Sequence, residues 1–63
     1  MAEFNERVKT ARKAAGLTQK SMADRMLIPF RTIQDWEGGL HAPPPYVQRF
    51  VLNELESLTK EKE

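Results

Sequence analysis

Phe4, Val8, Ala11 and Ala15 recur at intervals of four, three and four residues. That spacing lines one face of a helix and predicts a first helix from about Glu3 to Ala15. Gly16 follows, where a residue able to take positive φ ends a helix. Leu17 is then a buried link, and Thr18 is a good N-cap for a second helix whose apolar set is Met22, Ala23 and Met26. Its capping box is expected to be incomplete, because Ser21 stands where Glu or Gln would reach back. In "LIP", Pro29 is tolerated at a helix start but not in an interior, so a third helix begins there and carries Ile33 and Trp36 inward. Gly38 and Gly39 end it. The stretch "LHAPPP" reads as a stiff extended connection. Its last proline opens a fourth helix over about residues 45–59, followed by a polar tail, 60–63, expected to fray.

The fourth helix is apolar over more of its circumference than the others. Counted at about 100° per residue, Val47, Phe50, Val51, Leu52, Leu55 and Leu58 spread over roughly 200°, against the roughly 100° stripe that one core contact needs. Either the short helices wrap this wide face, or part of it, Leu52 and Leu55 first, meets a second copy across a twofold axis.

With 63 residues, the chain is read as a single all-α domain over 1–63, near the lower size limit for folding without staples. The absence of cysteine removes disulfides and thiolate metal sites, and one histidine cannot build a zinc centre or a triad. No paired carboxylates and no nucleophile with a base stand out, so an enzyme is the least supported class and neither cofactor nor metal is expected. The N-terminus has no signal-peptide apolar region and no apolar run approaches a membrane span, which makes a reducing cytoplasmic setting the simplest expectation.

The formal charge of +1 conceals an asymmetry: seven Lys and Arg against four acids up to Trp36, then three against five from Glu37 onward. A basic half permits phosphate contact on one side of the molecule.

The second and third helices, joined by about three residues, fit a helix-turn-helix over about 18–37. Small Ala23 lies four residues after Gln19, where two helix backbones must approach closely, and Ile28, Ile33 and Trp36 can pack behind the third helix. The stretches "VKTARKAAGLTQ" from Val8, "MA" at Met22, "TIQDWEGG" from Thr32 and the later Pro43 resemble the Xre family, the lambda-repressor-like DNA-binding domains of phage repressors and Cro proteins. The resemblance covers about residues 4–58.

It implies a four-helix domain that reads the major groove of double-stranded DNA with helix 29–37. Gln19, with Lys20 beside it, then holds a phosphate at the start of helix two. Phe30, Arg31, Gln34 and Asp35 face the groove: Arg31 suits a guanine, Gln34 or Asp35 the base amino groups, and Phe30 a thymine methyl. Thr32 is assigned to a phosphate or to its own helix backbone. Lys9 and Lys13 are the backbone-contact candidates on helix one. The loop opened by Gly38 and Gly39 is implied to offer backbone amides to phosphate, with His41 near the usual basic residue, a substitution that would weaken the contact and make it pH-sensitive. Arg12 and Glu37 are implied to form a partly buried structural ion pair.

Two positions depart from the family pattern. Leu27 stands where glycine is usual, so either it is held at positive φ, at a cost of about 1–2 kcal/mol, or the turn has another shape. Pro29 replaces the usual Ser or Thr cap of the third helix.

The function expected from this pattern is a sequence-specific transcriptional regulator, a repressor or accessory regulator of a phage or mobile element, acting as a homodimer. The alternative is a protein-interaction module such as an antitoxin, using the wide apolar helix on a protein partner and touching DNA only weakly. Low net charge, the acidic second half and Asp35 favour it.

Overall fold

A computed structural model describes residues 3–62. It contains α1 (Phe4–Ala14), α2 (Gln19–Met26), α3 (Phe30–Gly38) and α4 (Pro45–Lys62), with no strand among the described residues. α1 packs against both α3 and α4, and α2 packs against α3. None of the described helices is long and apolar enough to cross a membrane.

The core draws on every helix: Phe4 and Val8 of α1, Met22 and Ala23 of α2, Ile33 and Trp36 of α3, Val51, Leu55 and Leu58 of α4, with Ala15 after α1. Phe4 meets Trp36 edge to face, ring centroids 5.7 Å apart, which ties the start of α1 to the last turn of α3.

Three helices stop in the same way. After α1, the N–H of Leu17 reaches back to the carbonyl of Arg12 and that of Gly16 to Lys13, with Gly16 at φ 76°. After α3, Leu40 reaches Asp35 and Gly39 reaches Trp36, with Gly39 at φ 78°. After α2, Ile28 bonds to Ala23, and the left-handed residue is Leu27 at φ 56°. The turn therefore keeps the shape glycine usually supplies, and a leucine takes it.

Several boundaries differ from the sequence expectations. The capping box of α2 is complete: Ser21 N–H donates to Thr18 Oγ1 at 3.0 Å and Thr18 N–H to Ser21 Oγ at 2.8 Å, the serine hydroxyl replacing the carboxylate. Pro29 caps α3 instead of opening it, its extended ψ of 136° leaving its carbonyl to accept from Thr32 and Ile33. α4 runs on to Lys62, so residues 60–62 are helical and not a frayed tail; Glu63 lies outside the described residues. Leu58 is still buried there, Thr59 Oγ1 donates to the Leu55 carbonyl at 3.0 Å, and Lys60 pairs with Glu56 one turn back.

The wide arc of α4 also divides differently. Leu55 is wholly buried in the core (0% exposed) and is removed as a contact for a second copy. Leu52 is half-buried against the core. The large apolar groups left outside on α4 are Tyr46 and Phe50. The physical reason is that α4 packs on α1 and turns Val51, Leu55 and Leu58 into the core, so the edge of the arc with Tyr46 and Phe50 stays free.

Candidate nucleic-acid interface

Ile33, Trp36 and Glu37 are buried, and this pins α3 to the core by one face. Away from that face Arg31 and Gln34 are exposed and Asp35 is half-buried, whereas Phe30, exposed in the first turn, lies on the flank next to Glu37 at about 100° per residue. None of these charged groups is engaged in an ion pair among the described residues, where the only pairs are Arg12 with Glu37 and Lys60 with Glu56. Thr32 is half-buried, and its hydroxyl makes no hydrogen bond among the described residues.

Both helices of the motif begin with free donors. Thr18 Oγ1 takes the N–H of Ser21, which leaves the N–H groups of Gln19 and Lys20 unpaired in the first turn of α2. The Pro29 carbonyl takes Thr32 and Ile33, which leaves those of Phe30 and Arg31 at the start of α3. Unpaired N–H groups at a helix start, in the positive field of the helix dipole, are suited to phosphate oxygens. Lys20 is exposed at the first of these sites.

One carboxylate organises the space behind them. Glu37 Oε2 accepts from Arg12 Nε at 2.6 Å, and Oε1 accepts from Arg12 Nη2 at 3.0 Å and from Gln19 Nε2 at 3.1 Å. Arg12 Nη1 donates to the Leu17 carbonyl at 2.8 Å. Glu37 is 5% exposed, and no buried side-chain polar atom among the described residues is without a partner. Arg12 thus spans α1, the loop before α2 and the last turn of α3, its donors turned inward. Gln19 has given one amide hydrogen to Glu37 and keeps its carbonyl oxygen and second hydrogen.

The link from Gln19 to Glu37 was missed by sequence reasoning, which named both residues but paired Glu37 with Arg12 alone. The available signal was placement: the start of α2 and the end of α3 lie side by side in this motif.

The other sequence-named residues are less closely gathered. Lys9 is half-buried and Lys13 exposed on α1; at about 100° per residue they lie about 60° and 100° round the helix from Arg12, so Lys9 is the nearer to the motif. Gly39 is corrected as a phosphate ligand. Its N–H bonds to the Trp36 carbonyl at 3.2 Å, and those of Leu40 and His41 turn to the Asp35 carbonyl at 3.0 and 3.5 Å, so the amides implied to meet phosphate close the end of α3 instead. His41 keeps an exposed side chain. The start of α4 is also poor in donors, because Pro44 and Pro45 have no N–H and those of Val47 and Gln48 bond to the Pro44 carbonyl.

Comparison with known proteins agrees with this geometry: the pattern of a family described as helix-turn-helix matches residues 8–47, from the middle of α1 to the start of α4 and more than half of the chain. No curated protein and no solved structure gives a match.

Proposed function

Because the chain belongs to the Xre, lambda-repressor-like family of helix-turn-helix DNA-binding regulators, we propose that it is a sequence-specific regulator of transcription. It reads the major groove with the exposed face of α3 and represses by occupying a promoter. The observation that carries this reading is the division of α3: buried Ile33, Trp36 and Glu37 fix its orientation, and unpaired Arg31, Gln34 and Asp35 stand opposite.

In this arrangement Arg31 donates to guanine O6 and N7, and Gln34 bonds an adenine edge. Asp35 accepts from cytosine N4. Phe30 covers a thymine methyl. Phosphates sit on the free N–H groups and amide of Gln19, on Lys20 and on the Thr32 hydroxyl, with Lys9, Lys13 and His41 as outer contacts. These side chains position the domain, and the α3 set chooses the sequence. One domain of this size has few contacts, so it works as a homodimer on two half-sites about 34 Å apart or a multiple of that.

Selection of bound duplexes from a random pool, followed by gel shifts at about 100 mM salt, tests the reading. A recovered twofold-symmetric sequence that outcompetes bulk DNA is the expected result. If no sequence does so, specific regulation is wrong.

A further inference from the structure

On the reading that the regulator is a dimer, we propose that its seam is the outer stripe of α4, formed by Tyr46, Phe50, Asn53 and Ser57. The stripe packs antiparallel on that of a second copy, with Arg49 of each chain paired to Glu56 of the other.

Tyr46 and Phe50 lie one turn apart and are 76% and 69% exposed, although α4 commits its opposite face, Val51, Leu55 and Leu58, to the core. Asn53 and Ser57, both exposed and uncharged, extend the line. The intervals of four, three and four are those of a helix seam.

Charge on the flanks decides the orientation. In a parallel pair, a flanking residue meets one five positions later on the partner helix. Arg49 would then face Glu54, but Glu56 would face Glu61, two like charges. In an antiparallel pair each flank meets its own counterpart. Arg49 then faces Glu56 twice, Glu54 faces Val47, Phe50 lies on Asn53 and Tyr46 on Ser57.

The groups required are available. Arg49 is exposed and has no acidic partner among the described residues, and Glu56 holds only an exposed pair with Lys60 at 3.6 Å, a contact of little strength. The four rings of the two copies supply roughly 500 Å² of buried surface. The polar flanks must supply the rest of the roughly 1,000 Å² of a specific interface.

Sedimentation equilibrium of the full chain over about 1–100 µM tests the seam. Phe50→Ala, Arg49→Glu and Glu56→Arg are each expected to weaken dimerisation about tenfold or more, with helical content retained, and with the melting temperature retained at concentrations below dimerisation, because all three positions are exposed. The double variant Arg49→Glu with Glu56→Arg is expected to return to within about threefold of the parent, since the pair is restored with its signs exchanged. Rescue by Arg49→Glu with Glu54→Arg instead would overturn the antiparallel orientation. A dimer indifferent to all these changes would place the seam elsewhere, and a chain monomeric throughout would remove it; in both cases a selected DNA sequence could still stand. A dimer that responds as expected while the duplex selection yields no sequence would keep the seam and refute the DNA-reading function.

Discussion

Glu37 is the side chain on which most of the motif's internal geometry converges. Its two oxygens take three hydrogen bonds, two from Arg12 and one from Gln19, in a nearly dry site. Removing one partner of such a pair leaves a charge buried alone, at a cost of about 3–5 kcal/mol, whereas replacing both by apolar groups is often close to neutral. A 63-residue domain has only about 3–9 kcal/mol in all. Glu37→Ala is therefore expected to leave the chain largely unfolded in a thermal melt, and Arg12→Met with Glu37→Met to melt closer to the parent than either single change. A double variant no more stable than the singles would show that the bridge does more than compensate its own burial. Asp35 tests the other side of α3. A carboxylate repels phosphate at long range but can accept from cytosine N4, so on the proposed reading Asp35→Asn should bind duplexes more tightly and with relaxed preference. Unchanged binding across all sequences would return Asp35 to the solvated surface. The exposure of Arg31 and Gln34 was legible from Ile33 and Trp36, because helical periodicity assigns the far side once the inner one is known; Phe30 is exposed by its place in the first turn instead. The third bond to Glu37 was not legible, since it depends on the packing of two helix ends that periodicity does not register.

The helices themselves show which local signals carry far. Glycine at a helix end was read correctly as a stop at Gly16 and Gly39, because only a residue without Cβ takes positive φ freely. Ser21 was misread. Its hydroxyl is short, but it reaches the Thr18 N–H, so the box closes without a carboxylate. The expected end of α4 falls too early because polar composition alone does not end a helix: residues 60–62 continue the turns from buried Leu58, and Lys60 pairs with Glu56 one turn back. Among the described residues Leu27 is the one non-glycine held at positive φ, and there local preference and the fold disagree. It holds positive φ with its side chain 90% exposed, so neither conformation nor burial rewards it. Relief of the left-handed strain, about 1–2 kcal/mol, exceeds the several tenths lost when glycine loosens the unfolded chain. Leu27→Gly is accordingly expected to raise stability by about 1 kcal/mol in urea unfolding at an unchanged m-value. A loss of stability would mean that the exposed leucine makes a contact the fold depends on.

For the whole molecule, the uneven charge and the proposed dimer can be read in one experiment. Basic residues prevail up to Trp36, and within that half Lys20 is exposed beside the two free N–H groups at the start of α2. Each phosphate neutralised on duplex DNA releases counterions, and the slope of log affinity against log salt changes by about 0.9 per contact. On the proposed reading, Lys20→Ala removes one such contact per chain. A single bound chain should flatten the slope by about 0.9, and a dimer, which carries the substitution twice, by about 1.8 on a two-half-site duplex. A duplex with one half-site, at protein concentrations below dimerisation, should show the smaller change. Because the contact is to the backbone, the loss of affinity should be similar for matched and mismatched sequences, unlike that of Arg31→Ala, which should fall mainly on one base position. A slope unaltered by Lys20→Ala on either duplex would take the phosphate away from the start of α2. A change of about 0.9 on both would leave the DNA contact in place and remove the dimer from the bound state.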